Sequence, residues 1–267
     1  MSTRFESAAW HAALATIIRG DSAPGVAAAL ADCVGLVVEH EGTCLLAFHR
    51  DARPEVLHHT LEPAGARHYI DRYRDGPYLL DPLYQLAIQD VKPTLCRFRE
   101  TQPDRFRASE YYRQYCERTH LLDEMDFLTE VSPRTTLALV VGRRKRRFSQ
   151  AELRRLEAME PTVRAAMQRT WELREVEPHS TATERAFHQR LTRCFERFGE
   201  DVLTERERQI SQLLLRGHSS KSIARELDIA PGTVMVHKRN LFAKLGISSQ
   251  YELFSLLIDE LGSKKLS

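Results

Sequence analysis

The amino-acid sequence predicts a two-domain α+β protein: an N-terminal α/β sandwich over residues 1–175, a linker carrying an amphipathic helix over 176–201, and an all-α domain of four short helices over 202–267. Three observations carry the prediction. Helix-type and strand-type hydrophobic periods alternate up to about residue 175, whereas from Thr183 onward apolar residues recur at three- and four-residue steps. The stretch between them, Glu-Val-Glu-Pro-His-Ser-Thr-Ala-Thr at 175–183, is polar, contains a proline and has no apolar period, as a linker would. The 267 residues, 42% hydrophobic and 28% charged, are enough for two cores and exclude a disordered or fibrous chain.

In chain order, 8–19 and 25–33 are alanine-rich and helical, and β-prone runs follow at 35–39, 43–49 and 55–60, punctuated by Gly42 and Pro54. Residues 65–73 and 83–89 read as helices around Pro77 and Pro82, 92–98 as a strand, and 109–119 as a helix with a face of Tyr111, Tyr112 and Tyr115. Strands are expected at 125–131 and 135–141. The run Arg-Arg-Lys-Arg-Arg at 143–147 reads as a solvated turn. Ser149 and Glu152 then form a capping box for a helix whose apolar residues, from Leu153 to Trp171, keep helical spacing. Pro161 should kink or divide it. Within the linker, after its polar stretch, Phe187, Leu191, Cys194, Phe195 and Phe198 make the stripe of the amphipathic helix.

The C-terminal stretch is the most informative. Thr204 and Glu207 form a second capping box, Ile210, Leu213 and Leu214 a buried stripe, and Gly217 a left-handed stop. Ser219 can cap a second helix, and Pro231 suits the first position of a third, which runs to about Leu245 and ends at Gly246. On that helix Val234, His237, Leu241 and Leu245 share the inner face, while Met235, Val236, Arg239 and Asn240 look outward. Two helices joined by a tight turn, the second with a mixed outward face, are a helix-turn-helix. Charge agrees. The whole chain carries only +2, but between 216 and 246 six basic residues (Arg216, Lys221, Arg225, Lys238, Arg239, Lys244) face two acidic ones (Glu226, Asp228), a local +4 suited to phosphates.

The last helix opens with Ser249 and Glu252. Leu253, Leu256 and Leu257 are expected inward, leaving Tyr251, Phe254, Ile258 and Leu261 as a second apolar stripe, read as a homodimer interface. Such a dimer would hold two recognition helices about 34 Å apart on a pseudo-palindromic site.

Leu203-Thr204-Glu205-Arg206-Glu207, the run 217–224, Thr233-Val234-Met235-Val236-His237 and Lys244-Leu245-Gly246-Ile247 together resemble the LuxR-type DNA-binding domain over about 60 residues. The resemblance implies that the third helix enters the major groove of double-stranded DNA. Met235, Val236 and Arg239 would face base edges, Thr233, Lys238, Lys221 and Ser220 would lie near phosphates, and His237 would be packed or phosphate-bonding. Met235 stands where the family has Lys, Ser220 where it has Asn, and Ala230 where it has a capping Ser. Met touches a thymine methyl but donates nothing to guanine, so base preference should differ from that of Lys-bearing relatives.

Upstream, the order of helices and strands resembles the GAF-like signal-binding domain of quorum-sensing LuxR regulators. Tyr69, Tyr73, Tyr78 and Asp81-Pro82 are similar to the family's Trp, Tyr and Asp-Pro arrangement around an acyl-homoserine lactone, in which the Asp accepts from the ligand amide. Tyr69 replaces the Trp, Cys96 a second Trp, and the Tyr73-to-Asp81 spacing is one residue short. The expected control is therefore a small-molecule or protein signal other than a standard acyl-homoserine lactone, with a ligand-independent regulator as the alternative.

Other classes find less support. Walker A, G-x-G-x-x-G, G-x-S-x-G and H-E-x-x-H patterns are all missing, which argues against an enzyme. Five widely spaced cysteines suggest neither a disulfide framework nor a zinc site, and no cofactor is expected. His40, His49, His58, His59 and His68, within 29 residues, keep metal or haem sensing open as an alternative, and Asp51 keeps phosphorylation open. The N-terminus lacks a secretory pattern and the longest apolar runs fall far short of the ~20 residues of a membrane span, so a cytoplasmic protein without membrane contact is expected. The expected partners are DNA, a second copy of the chain, an effector and RNA polymerase.

Overall fold

The computed structural model describes residues 4–66, 70–90, 94–109, 111–175 and 178–263. Two helices open the chain, α1 (Ala8–Arg19) and α2 (Ala23–Val37); Ser7 Oγ accepts from Trp10 N at 3.1 Å to start the first, and a proline in the opening turn starts the second. Strands β1 (Gly42–His49) and β2 (Glu55–His59) follow, then the short turns α3 (Pro63–Ala66) and α4 (Arg72–Arg74), α5 (Pro82–Ala87), β3 (Leu95–Arg97) and α6 (Phe98–Thr101). A π-helical turn, Tyr112–Cys116, leads into α7 (Glu117–Thr119), β4 (Asp123–Ser132) and β5 (Thr135–Arg143). The rest is helical: α8 (Gln150–Leu173), α9 (Pro178–Arg197), α10 (Glu205–Leu215), α11 (Ser220–Glu226), α12 (Pro231–Leu245) and α13 (Gln250–Ser263).

The five strands form one antiparallel sheet in the order β2-β1-β5-β4-β3. Because side chains alternate across a strand, the sheet has two interiors. Leu45, Ala47, Phe127, Leu137 and Leu139 face one side and pack with Leu30, Val34, Leu156 and Val163 of α2 and α8. Leu46, Phe48, Leu128 and Ala138 face the other, against Leu83, Tyr84 and the tyrosines of the connecting turns. This second core runs on through Leu191, Phe195 and Phe198 of α9 into Ile210, Leu214, Val234 and Leu241 of the C-terminal helices. The two domains are thus joined by one continuous apolar layer.

Four expectations are corrected. Residues 35–37, expected in a strand, finish α2, whose Val26, Leu30, Cys33, Val34 and Val37 are all buried at helical spacing. Pro161 does not divide α8. It is exposed, so the carbonyl that loses its helical donor can turn to water. Most of the polar stretch 175–183, expected to precede the amphipathic helix, belongs to it, since α9 begins at Pro178, and proline suits a first helical position. Arg143, expected in a solvated turn, is buried and grips Glu152 with both ends of its guanidinium, at 3.1 and 2.7 Å. Arg143, then Arg146 and the Ser149 cap, hold the Glu152 carboxyl well below the usual carboxylate range, so the capping box is also an ion-pair centre.

Candidate nucleic-acid interface and ligand cavity

The helix-turn-helix is built from local hydrogen bonds that the residue types dictate. Thr204 and Glu207 cap α10 reciprocally. Gly217, at φ +94°, ends it: the His218 amide reaches Leu213 O and the Gly217 amide Leu214 O, both at 3.0 Å. Ser219 Oγ accepts from Ser222 N at 3.2 Å to start α11. The turn into α12 repeats the C-terminal pattern with Asp228 at φ +49°, Ile229 N bonding Ala224 O; aspartate tolerates this left-handed backbone better than a bulkier residue. Ala230 supplies no side-chain cap, and Pro231 begins the helix.

Val234 and Leu241 anchor α12 in the core, which forces the opposite face outward. Met235 is 64% and Val236 46% exposed, and Thr233 and Arg239 are exposed beside them, with Lys221 exposed at the start of α11. Ser220, His237 and Lys238 are half-buried, the Lys238 ammonium lying 5.3 Å from the Phe242 ring. Two of the six local cations are engaged within the protein. Arg216 lies 5.3 Å over Phe195 of α9, and Lys244 donates to Glu207 at 2.8 Å. Lys221, Arg225, Lys238 and Arg239 are left for an anionic partner.

On α13 the expected apolar stripe divides differently. Phe254 is buried with Leu253 and Leu257, in the core shared with α9 and α10, while Leu256 is exposed. Tyr251 (56%) and Ile258 (44%) are exposed as expected, and the Leu261 side chain lies outside the described residues. With helical spacing alone, 254 and 256 could exchange roles, and the direction of the α10 contact decided between them.

On the N-terminal domain, a cavity of about 200 Å³ opens between the sheet and the turns around α4, α5 and α7. Its walls include Cys44, Leu46 and Val140 of the sheet, Tyr73, Asp81, Leu83, Tyr111, Tyr115 and Glu124. Tyr73 donates to Asp81 Oδ2 at 2.6 Å, and Asp81 Oδ1 accepts from Leu83 N at 2.9 Å, so the same carboxyl caps α5. Burial still raises Asp81 to about 6. Of the other two members of the expected ligand set, one is placed elsewhere and one is not described. Tyr78 is no part of the cavity wall: its hydroxyl bonds His188 Nδ1 of α9 at 2.9 Å. Tyr69 lies outside the described residues. Conversely, Glu124, Tyr111 and Tyr115 were not singled out as site residues, although alternating acids in a buried strand, Glu124-Met125-Asp126, were there to be read.

Among the described residues no three or more His, Cys, Asp or Glu side chains are grouped as metal ligands would be, and His68 lies outside them. Among the same residues no helix is long and apolar enough to cross a membrane.

A sheet with an internal cavity, coupled through a shared core to a helix-turn-helix with an open recognition face, defines a two-domain DNA-binding regulator of transcription. The chain belongs to the LuxR family of bacterial regulatory proteins. Residues 201–257 match that family's profile, "Bacterial regulatory proteins, luxR family". An HTH-type transcriptional regulator from the exeN 3' region of Aeromonas salmonicida is 34% identical over 190 residues, covering 68% of this chain and 94% of that protein. The monoamine regulon transcriptional regulator of Klebsiella aerogenes is 26% identical over 200 residues, 74% of each chain. Among solved structures, the VqsR LBD domain from Pseudomonas aeruginosa superposes with a TM-score of 0.56 at 25% identity, covering 63% of this chain and all of that one. The family's proteins regulate transcription, and the chain is not an enzyme.

Proposed function

We propose that the chain is a dimeric, signal-controlled regulator that binds pseudo-palindromic sites in double-stranded DNA through α12. The observation that carries this is the outward face of α12, where Met235, Val236, Thr233 and Arg239 stand exposed around a helix held by buried Val234 and Leu241. Lys221, Ser220, His237 and Lys238 flank that face and would meet phosphates. The exposed Tyr251 and Ile258 of α13 support a homodimer contact, and RNA polymerase would be a further partner in the cytoplasm. The N-terminal domain reads as a GAF-like sensor, supported by its antiparallel five-stranded sheet with helices on one face and a cavity on the other. Because Tyr78 is committed to His188 and acids line the cavity, the effector is taken to be something other than a standard acyl-homoserine lactone.

The test is a gel-shift titration on a fragment enriched by genome-wide binding. Arg239→Ala should cost about 1–3 kcal/mol, roughly 5- to 150-fold in affinity. Unchanged affinity would remove α12 from the interface.

A further inference from the structure

We propose that the N-terminal cavity takes a small organic cation, an amine whose ammonium group sits among Glu124, Asp81 and the faces of Tyr73, Tyr111 and Tyr115. The inference rests on the reading of this domain as a ligand-binding sensor, and it adds the chemical class. The acids come from two elements. Asp81 lies at the start of α5, and Glu124 and Asp126 sit two residues apart on the same face of β4, the face that also carries Leu128.

The acidic side chains differ in how they are satisfied. Asp123, on the opposite face of β4, is neutralised by Arg97, which donates through Nε at 2.8 Å and through Nη2, and it accepts from Phe148 N at 2.8 Å. Asp126 has no such arrangement: it is 0% exposed, its carboxyl lies against that of Glu124, and among the described residues neither a cation nor a backbone amide donates to it. A pair of buried carboxyls without a cationic or amide donor is costly, and a cation beside them would offset that cost. Glu124, its neighbour, is half-buried and forms part of the cavity wall. Burial raises Glu124 to about 8 and holds Asp126 well above the usual carboxylate range, so near neutrality protons stand in for a missing counter-ion.

The aromatic walls point the same way. Tyr115 lies 5.5 Å from both Tyr73 and Tyr111, ring centroid to centroid, and aromatic rings beside carboxylates are how proteins hold ammonium groups. The cations on the cavity wall, Arg99, Arg107, Arg144 and Arg147, are all exposed. They therefore stand at the rim, where they would meet an oxygen-bearing tail without cancelling the acidic floor. A metal ion is disfavoured, since among the described residues no grouping of ligands suits one. The volume, about 200 Å³, is below the ~300–1,000 Å³ of drug-sized pockets and calls for a small molecule.

The test is calorimetric titration of the full chain with 2-phenylethylamine, its neutral counterpart 2-phenylethanol, zwitterionic phenylalanine and hexanoyl-homoserine lactone. The amine should bind at least tenfold more tightly than the alcohol, and Glu124→Gln, which removes charge and keeps shape, should cost the amine tenfold or more without weakening the alcohol. Tighter binding of phenylalanine than of the amine would also support the cation site and assign the rim arginines to a carboxylate. Equal or tighter binding of the alcohol or lactone would overturn the cation while leaving a ligand-binding sensor in place. An amine affinity untouched by Glu124→Gln, or no binding by either ammonium compound, would overturn it as well, and the DNA titration above decides the regulator reading independently.

Discussion

Asp126 occupies the middle of β4, opposite Val140 and Cys96, a position where a strand ordinarily carries valine or isoleucine. Its carboxyl, with Glu124 at about 8 and Asp81 at about 6, sets a pH dependence of known sign. All three are raised above their unfolded values, so the folded state holds more protons than the unfolded one and loses stability as pH climbs from about 4 to about 8. Glu152, depressed by Arg143, works in the opposite sense: its contribution is present above the unfolded value near 4.5 and fades as pH falls below it. Asp126→Asn isolates the first effect. Relative to the parent, its melting temperature should rise progressively between pH 4.5 and pH 8, the variants converging at the acidic end; a difference independent of pH would mean Asp126 is not the titrating group. The acids were legible as letters, yet which of Asp123, Glu124 and Asp126 would be paired was not. That depends on Arg97 arriving from β3, 26 residues away, a partner no local pattern names.

Among the elements, the helix ends were the most legible because caps are local. Ser149, Thr204, Ser219, Gly217 and Gly246 all act as their residue types and three-residue spacings require. The missing cap is equally local. Ala230 has the extended backbone of an N-cap, φ −69° and ψ 142°, but no side-chain acceptor, so Ala230→Ser should stabilise the helical domain by about 0.5–1 kcal/mol, visible as a higher unfolding temperature of that domain in calorimetry. On α13, Ile258→Glu places a charge on the exposed apolar stripe beside Tyr251. With α13 as the proposed homodimer contact, sedimentation should show the variant monomeric at concentrations where the parent is dimeric, with DNA affinity falling as the second half-site is lost; an unchanged sedimentation profile would remove this stripe from the interface. Where elements were misread, the cause was an ambiguous period. The apolar run 36–38 satisfies helix and strand alike, and only packing against α8 and the sheet made it the end of α2.

At the scale of the whole molecule, the N-terminal domain and the DNA-binding domain meet through backbone as well as through the shared core. Arg105 N donates to Gly217 O at 3.0 Å, and Asp104 accepts from Ser219 N at 2.9 Å and from Ser219 Oγ. The Gly217 turn passes so close to Phe106 that an added Cβ would lie 3.0 Å from its Cα. Asp104→Ala should leave the sheet intact but expose the cap of α11: amide exchange at 219–223 should quicken several-fold while that of β1 and β5 stays unchanged. Equal protection in both proteins would show that the Asp104 bonds do not hold the start of α11. By itself the sequence determined the family, the class of function, the two-domain order and which face of α12 is exposed, because these rest on capping residues and helical periods within a few residues of one another. Only the tertiary structure decided that Arg143 is buried, that Tyr78 serves α9 and not the cavity, that Phe254 lies in the core, and that Glu124 stands on the cavity wall with Asp126 buried next to it. Each of those outcomes depends on which distant segment supplies the partner, and strand register and helix docking are settled by the packing of the whole chain, beyond the reach of any local pattern.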